Sequence, residues 1–477
     1  MLDMRQIYCG VVIPQMMYAC SIWSDSRGNG TSYTGKTLQA LRSLQARGAR
    51  AICGAFRATS IAALDVEAHL IPVVQQIEKQ NTYTLGRIMS CHTVPKLGDV
   101  SRVGPSGNSR MPTYTSPLRN IHRRYKDKHP TNVYAVETIS PFVAPPWWQG
   151  PATHIEQETD ARSTHDRKII EGGICIYTDG SRIGGHVGAA AVYLEKRQIR
   201  NAYMGRDATS TVYVAELHGI NLALTMAAVE VDASAYQRHI TIFADNQAAI
   251  RSLTRPEGRS GAYILKQIAA RIESLQEKGN TVVVRWIPSP EGIEGNEAAD
   301  IAAKEATGWR ESSASGPKAD PPPELCALQA TLRMHSRKEA DKGWQTSWQH
   351  ELTGRTTFRH TPAPLKKVLQ LHDGLTKRQS AILVQLRTEK IGLRDFLFRR
   401  KVPDILDPTC ICQEGRQTVR HILLTCRKLK EIRRQELGHL PEGNDLRAIL
   451  SKRKVAIKAV KFIGRKHILG QSRIVEE

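Results

Sequence analysis

Between residues 174 and 306 the apolar and polar positions change period several times, and the changes mark out a run of short elements. Ile174-Cys-Ile-Tyr-Thr178, Gly188 to Leu194 and Gln198 to Met204 alternate like strands and are joined by Gly-rich or charged turns, which predicts an antiparallel meander. A helix from Val212 to about Val229 follows, then a strand His239 to Ala244, two helical stretches from Asn246 to Glu277, a strand Thr281 to Ile287 and a last helix Asn296 to Ala306. This order predicts an α/β domain with a mixed sheet.

The flanks carry a different pattern. Residues 7 to 90 read as mostly helical: Leu38, Leu41, Leu44 and Ala49 to Ile52 recur at helical spacing, with Arg42, Arg47 and Arg50 between them. From Val103 to Asp166 the chain turns to Pro, Ser, Gly and Thr, including Pro141-Phe-Val-Ala-Pro-Pro-Trp-Trp148, and reads as a linker with an aromatic anchor. A second break, Ser312 to Pro323, precedes a basic helical segment in which Trp344 and Trp348 share one face and read as core. The predicted organisation is a helical region 1–100, a Pro/Ser-rich linker 101–168, the α/β domain 169–308, a linker 309–324 and a basic helical arm 325–477. No internal repeat is visible.

Charge sharpens this division. The 477 residues carry a formal net charge of +22, yet residues 171–308 hold 14 Lys and Arg against 16 Asp and Glu, so the flanks together carry +24. A nearly neutral block between two basic arms points to a polyanionic partner, nucleic acid, met through the arms. Nine irregularly spaced cysteines and the lack of a charged and apolar leader predict reduced thiols in an intracellular protein, nuclear or cytoplasmic and not secreted. No apolar run approaches the roughly 20 residues that cross a bilayer, so no membrane partner is expected.

Against the basic background, four acids stand out. Asp179 is read at the end of the first strand and Asp245 at the end of the fourth; parallel neighbours would bring both to one sheet edge, although a turn residue and a helix N-cap explain them equally well. Glu216 shares a helix face with Gly219, Ile220, Ala223 and Ala227, where an ionised acid needs a cation or donors, or else caps the helix start. In Trp286-Ile-Pro-Ser-Pro-Glu-Gly-Ile-Glu-Gly-Asn-Glu-Ala-Ala-Asp300, Glu291 and Glu294 read as loop, and Glu297 as first-turn acid. Asp300 borders the strip Ala299, Ala302, Ala303 and Ala306, with an i,i+4 pair to Lys304 as the alternative. Four acids around one site would repel unless divalent cations sat among them, and oxygen ligands suit two Mg²⁺ (or Mn²⁺) rather than zinc. The implied chemistry is phosphodiester hydrolysis. Separately, Cys410-x-Cys412-x8-His421-x4-Cys426 has the composition of a structural Zn²⁺ site, with Gly415 allowing a knuckle.

Tyr177-Thr-Asp-Gly-Ser181, Ala215-Glu-Leu217, Phe243-Ala-Asp-Asn-Gln247 and Gly295-Asn-Glu-Ala-Ala-Asp300 resemble, in order, the four motifs of the type 1 ribonuclease H domain over residues 171–308. The resemblance implies a five-stranded mixed sheet with flanking helices and cleavage of the RNA strand of an RNA:DNA hybrid with Mg²⁺. It implies Asp179, Glu216, Asp245 and Asp300 as metal-binding catalytic carboxylates, and Gly180, Ser181, Asn246 and Gln247 as substrate contacts. Ile13-Pro-Gln-Met-Met-Tyr18, Ser43 to Arg47, Gly54 to Thr59 and Pro145-Pro-Trp-Trp148 resemble the region after the polymerase in fungal non-LTR retrotransposon reverse transcriptases, and the Cys/His element is similar to the one at their C-terminus. No polymerase motif is read in these residues, so a separate reverse transcriptase is an expected partner. One departure stands out: the family has Gly-His after Trp-x-Pro where this chain has Ser289-Pro290, which predicts a slower nuclease, and His186 is expected to have a surface role instead of replacing it. The competing reading is a transposon remnant that binds nucleic acid without cutting it.

Overall fold

Six strands form one mixed sheet in the computed structural model, which describes residues 1–24, 32–92, 117–128, 135–233, 236–288, 292–309, 319–438, 445–465 and 468–469. They are β1 (Ala152–His154), β2 (Ile174–Ile183), β3 (His186–Tyr193), β4 (Gln198–Arg206), β5 (His239–Ala244) and β6 (Thr281–Trp286), in the order β1-β6-β5-β2-β3-β4. β2, β3 and β4 make the expected antiparallel meander, and β1, β6, β5 and β2 run parallel. The chain divides into two units: residues 82–336, which hold the sheet, and residues 1–81 with 337–477.

The expected five strands become six because Ala152, Thr153 and His154 pair with Val283, Val284 and Arg285 of β6. They lie in the stretch read as linker, where the structure also has helices Pro117–Lys128 and Glu158–Glu171. The second of these packs on the sheet: His165 Nε2 is 2.8 Å from the Tyr177 hydroxyl and its Nδ1 is 2.9 Å from Asp166, while its ring meets Phe243 edge-on at 5.0 Å. Three residues are too few to show a period of two, and the Pro and Ser around them set the local composition.

β3 explains why the sheet can be covered on both faces. Val187, Ala189, Ala190, Ala191 and Val192 are all buried, and their small side chains let helix Val212–Asp232 approach one face and helix Glu294–Ala306 the other. The strip Ala299, Ala302, Ala303 and Ala306 is buried in that second contact. Helix Val212–Asp232 is, among the described residues, the one helix long and apolar enough to cross a membrane; here Leu217, Ile220, Ala223 and Leu224 are buried in the sheet's core. Each large apolar side chain so buried contributes about 1.5–3 kcal/mol.

The unit of residues 1–81 and 337–477 is helical. Trp344 and Trp348 are both buried against Ala63 and Val66, as their shared helix face predicts, and the Trp348 indole donates to the Thr361 carbonyl at 2.8 Å. The two chain segments are also joined by a buried ion pair. Arg387 Nε lies 2.9 Å from both Glu67 carboxylate oxygens, and its Nη1 donates to the Leu450 carbonyl at 2.6 Å. Arg387→Ala would leave Glu67 buried without a cation and is expected to lower stability by about 3–5 kcal/mol, measurable as a shifted denaturant midpoint.

Candidate metal centre

The site begins where β5 stops. Thr178 pairs with Ala244 at the last parallel step between β2 and β5, so Asp245 leaves the end of β5 beside Asp179. Asp179 does not end its strand, as expected from the sequence, because β2 continues to Ile183 by antiparallel pairing with β3; Gly180-Ser181, read as a turn, faces Ala189 and Gly188. Glu216 comes from the helix beginning at Val212, whose N-cap Thr211 accepts from the Val214 amide at 3.4 Å. That helix can lie on the strand because residue 180 has no side chain: a Cβ there would sit 2.5 Å from the Glu216 amide nitrogen. Gly180→Ala is expected to cost about 1–3 kcal/mol by displacing the helix, and to weaken cation binding with it. Thermal melts with and without Mg²⁺ would measure both.

One oxygen each from Asp179, Glu216 and Asp245 lies within 4.8 Å of the others. Glu216 is 4% exposed, and its Oε2 is buried without a hydrogen-bond partner. Burial, followed by the charges of Asp179 and Asp245, pushes the Glu216 carboxyl up to about 9, against hydrogen bonds from Asn246 and the Gly180 backbone. Burial, then Asp245 and Asp300, pushes Asp179 up to about 7. Three converging carboxylates with an unmatched buried oxygen form an oxygen-only donor set that fits a hard divalent cation.

Residues 171–308 match the model of the RNase H family. Among solved structures, the chain is similar to LC11-RNase H1 in complex with an RNA/DNA hybrid, at 23% identity over 28% of this chain and 94% of that one, TM-score 0.22. It is also similar to RNase H1 from the halophilic archaeon Halobacterium salinarum NRC-1, at 24% identity over 28% of this chain and 97% of that one, TM-score 0.21. No curated protein matches the chain.

The fourth expected acid of the RNase H segment stands apart. Asp300 lies on helix Glu294–Ala306 with its Oδ2 2.5 Å from Lys304 Nζ, and it is outside the group of three, although its charge reaches Asp179. The i,i+4 pair weighed as the alternative is therefore formed. The helix also starts earlier than read: Glu294 is its first residue rather than loop, and Gly295 lies in its first turn, where the Tyr177 ring leaves no room for a side chain, since a Cβ would sit 2.3 Å from it. Glu297 accepts from the Gly292 amide at 3.0 Å and so ties the loop to the helix start. Ser289, Pro290 and Glu291 lie outside the described residues.

Of the expected substrate contacts, Asn246 caps its helix, accepting from the Ala249 amide at 3.1 Å, and Gln247 accepts from Arg251 at 2.9 Å, while Ser181 is half-buried on β2. His186 is bonded to the Tyr203 hydroxyl at 2.7 Å. The sequence reading missed Trp286, whose indole donates to the Asp245 carbonyl at 2.9 Å and fixes the end of β5 against β6. Its place before Ile-Pro was the available signal.

In the other unit, Cys410, Cys412, His421 and Cys426 also offer four ligand atoms within 4.8 Å of one another. Cys410 and Cys426 sulfurs are 3.8 Å apart, and Cys412 sulfur is 3.2 Å from His421 Nε2. Tetrahedral Zn–S bonds of about 2.3 Å place two sulfurs about 3.8 Å apart, so the donor set fits zinc. Thr425 Oγ1 lies 3.1 Å from His421 Nδ1, the second contact that orients a ligating imidazole. The knuckle closes through Cys410 N to Gly415 O at 2.8 Å, but the left-handed residue in it is Gln413, φ 63°, rather than the glycine.

Proposed function

We propose that this chain hydrolyses the RNA strand of RNA:DNA hybrids, with divalent cations held by Asp179, Glu216 and Asp245. The observation that carries this reading is the convergence of three carboxylates at one sheet edge, one of them buried with an unpartnered oxygen. Divalent cations bound there, Mg²⁺ or Mn²⁺, would supply Lewis-acid stabilisation of a phosphodiester in displacement. Asp179 and Asp245 come from adjacent strands and Glu216 from a helix packed on them, so the scaffold holds the three acids rigidly. Asp300 enters as a fourth ligand only after release from Lys304, which makes it the adjustable member of the set. Gly180, Ser181, Asn246 and Gln247 lie beside the acids and are the contacts proposed for the hybrid, whose recognition would rest on backbone shape and the 2′-hydroxyl rather than base sequence.

The flanks fit a retrotransposon origin, with a structural Zn²⁺ at Cys410, Cys412, His421 and Cys426, nucleic-acid contacts through the basic unit and a separate reverse transcriptase as partner. The test of the activity is a substrate panel. With Mg²⁺ or Mn²⁺ the protein is expected to cut the RNA of a labelled hybrid and to leave duplex RNA and duplex DNA intact. Equal cutting of duplex RNA, or none of the hybrid, would overturn the reading.

A second reading, a nucleic-acid binder that does not cut, rests on Pro290 standing where the family has histidine. If the carboxylates carry the larger electrostatic share, Pro290→His raises the hybrid cleavage rate by about 10–100-fold from a measurable start. A wild type with no activity and a revertant that gains none would favour the binder.

A further inference from the structure

The unit of residues 1–81 and 337–477 contains a cavity of about 1130 Å³ whose walls come from residues 42–75 and 344–390. Arg42, Arg50, Arg355 and Lys390 line it, against two acids, Asp65 and Glu351. Both acids are engaged. Asp65 accepts from Gln45 at 2.9 Å, and burial pushes its carboxyl up to about 7; Glu351 accepts from the Thr353 amide and hydroxyl at 3.0 and 2.8 Å. The cations are less committed: Arg355 bonds the Gln349 and Glu351 carbonyls and stacks on Phe358 at 3.7 Å, Lys390 lies 5.9 Å over the Phe396 ring, and no ion pair among the described residues involves Arg42, Arg50 or Lys390.

Three donors on this wall are unmatched. Arg50 Nε and the hydroxyls of Thr59 and Thr357 are buried without a hydrogen-bond partner, and the two threonines are 4% and 0% exposed. A buried donor with nothing to meet it is unfavourable, and a ligand oxygen would relieve it. Guanidinium and hydroxyl donors together complement the oxygens of a phosphate. Trp344 and Trp348 contribute an apolar stretch of the same wall, and the volume suits a ligand the size of a nucleotide. The surrounding unit is strongly basic: it carries 39 Lys and Arg against 20 Asp and Glu, +19 of the chain's +22.

We infer that this cavity binds the phosphate-bearing end of a nucleotide, presented by a nucleic-acid strand or by a free mononucleotide. The inference stands apart from the carboxylate site and from hybrid hydrolysis. It is tested on the full chain by fluorescence anisotropy with a 3′-labelled DNA trinucleotide carrying either a 5′-phosphate or a 5′-hydroxyl, at about 0.3 M salt so that diffuse attraction is screened. The phosphorylated probe is expected to bind about tenfold more tightly, and Arg50→Gln is expected to remove that preference. Arg42→Gln, at the exposed rim, is expected to reduce the preference about threefold at an unchanged melting temperature. Competition by a mononucleotide as effective as that of the unlabelled trinucleotide would assign the site to free nucleotides, and weaker competition would assign it to strand ends. Equal binding of the two probes, or a preference that survives in both variants, would overturn the inference.

Discussion

Glu216→Gln is expected to raise the melting temperature of the Mg²⁺-free protein by roughly 5–10 °C near pH 7, and to abolish the further rise that Mg²⁺ gives the wild type. Without a cation, the folded chain must hold a proton on Glu216, whose carboxyl is pushed up to about 9, while the unfolded chain releases it near 4.5. A raised carboxyl contributes its full stability below the unfolded value and loses it as pH climbs toward the folded one. The Mg²⁺-free wild type should therefore lose stability progressively from about pH 4 to pH 9, with Asp179 adding its share up to about 7. Glutamine keeps the shape of the protonated acid and needs no proton, which relieves roughly 3 kcal/mol at pH 7 and flattens that slope. The same substitution removes a ligand, so Mg²⁺ should no longer shift the melt. Thermal denaturation across pH 5 to 9, with and without Mg²⁺, reads both effects; a variant that melts lower than wild type and still responds to Mg²⁺ would contradict the metal assignment.

Cys412→Ser is expected to release about one equivalent of zinc per chain and to destabilise the C-terminal segment by several kcal/mol. The choice of residue matters, because Cys410 and Cys426 are buried and their replacement would disturb packing in any case. Cys412 is only half-buried, and Cys→Ser there would change stability by less than about 1 kcal/mol if the thiol were merely packed. Metal analysis of the purified protein, combined with melts before and after chelation, separates the two roles. Zinc-free protein with an unchanged melt would mean that the four side chains simply meet.

How much of this was legible in the sequence depended on the interaction that fixes each residue. Strands β3 to β6 showed because alternation and small side chains are local signals. In sequence β2 ends at Asp179, since Gly180-Ser181 looks like a turn, and only pairing with Ala189 and Gly188 carries the strand further. The start of the last helix was hidden in the same way, as Gly292 and Gly295 read as loop until the Tyr177 ring is seen against Gly295. Three acids of the site followed from their places at strand and helix ends, but their convergence required the parallel pairing of β2 with β5. The turn of Asp300 toward Lys304 was beyond reach, because spacing offers that aspartate two partners and says nothing of which it takes. The cavity of the basic unit left no motif at all, being assembled from segments about 300 residues apart in the chain.

Cleavage of a 5′-labelled RNA annealed to DNA, followed with wild-type protein and Asp179→Asn side by side in Mg²⁺, tests the central claim most directly. Wild type is expected to shorten the RNA, and the variant to do so at least about 10³-fold more slowly while melting no lower than wild type. Equal rates from the two proteins would place any cleavage outside this carboxylate cluster.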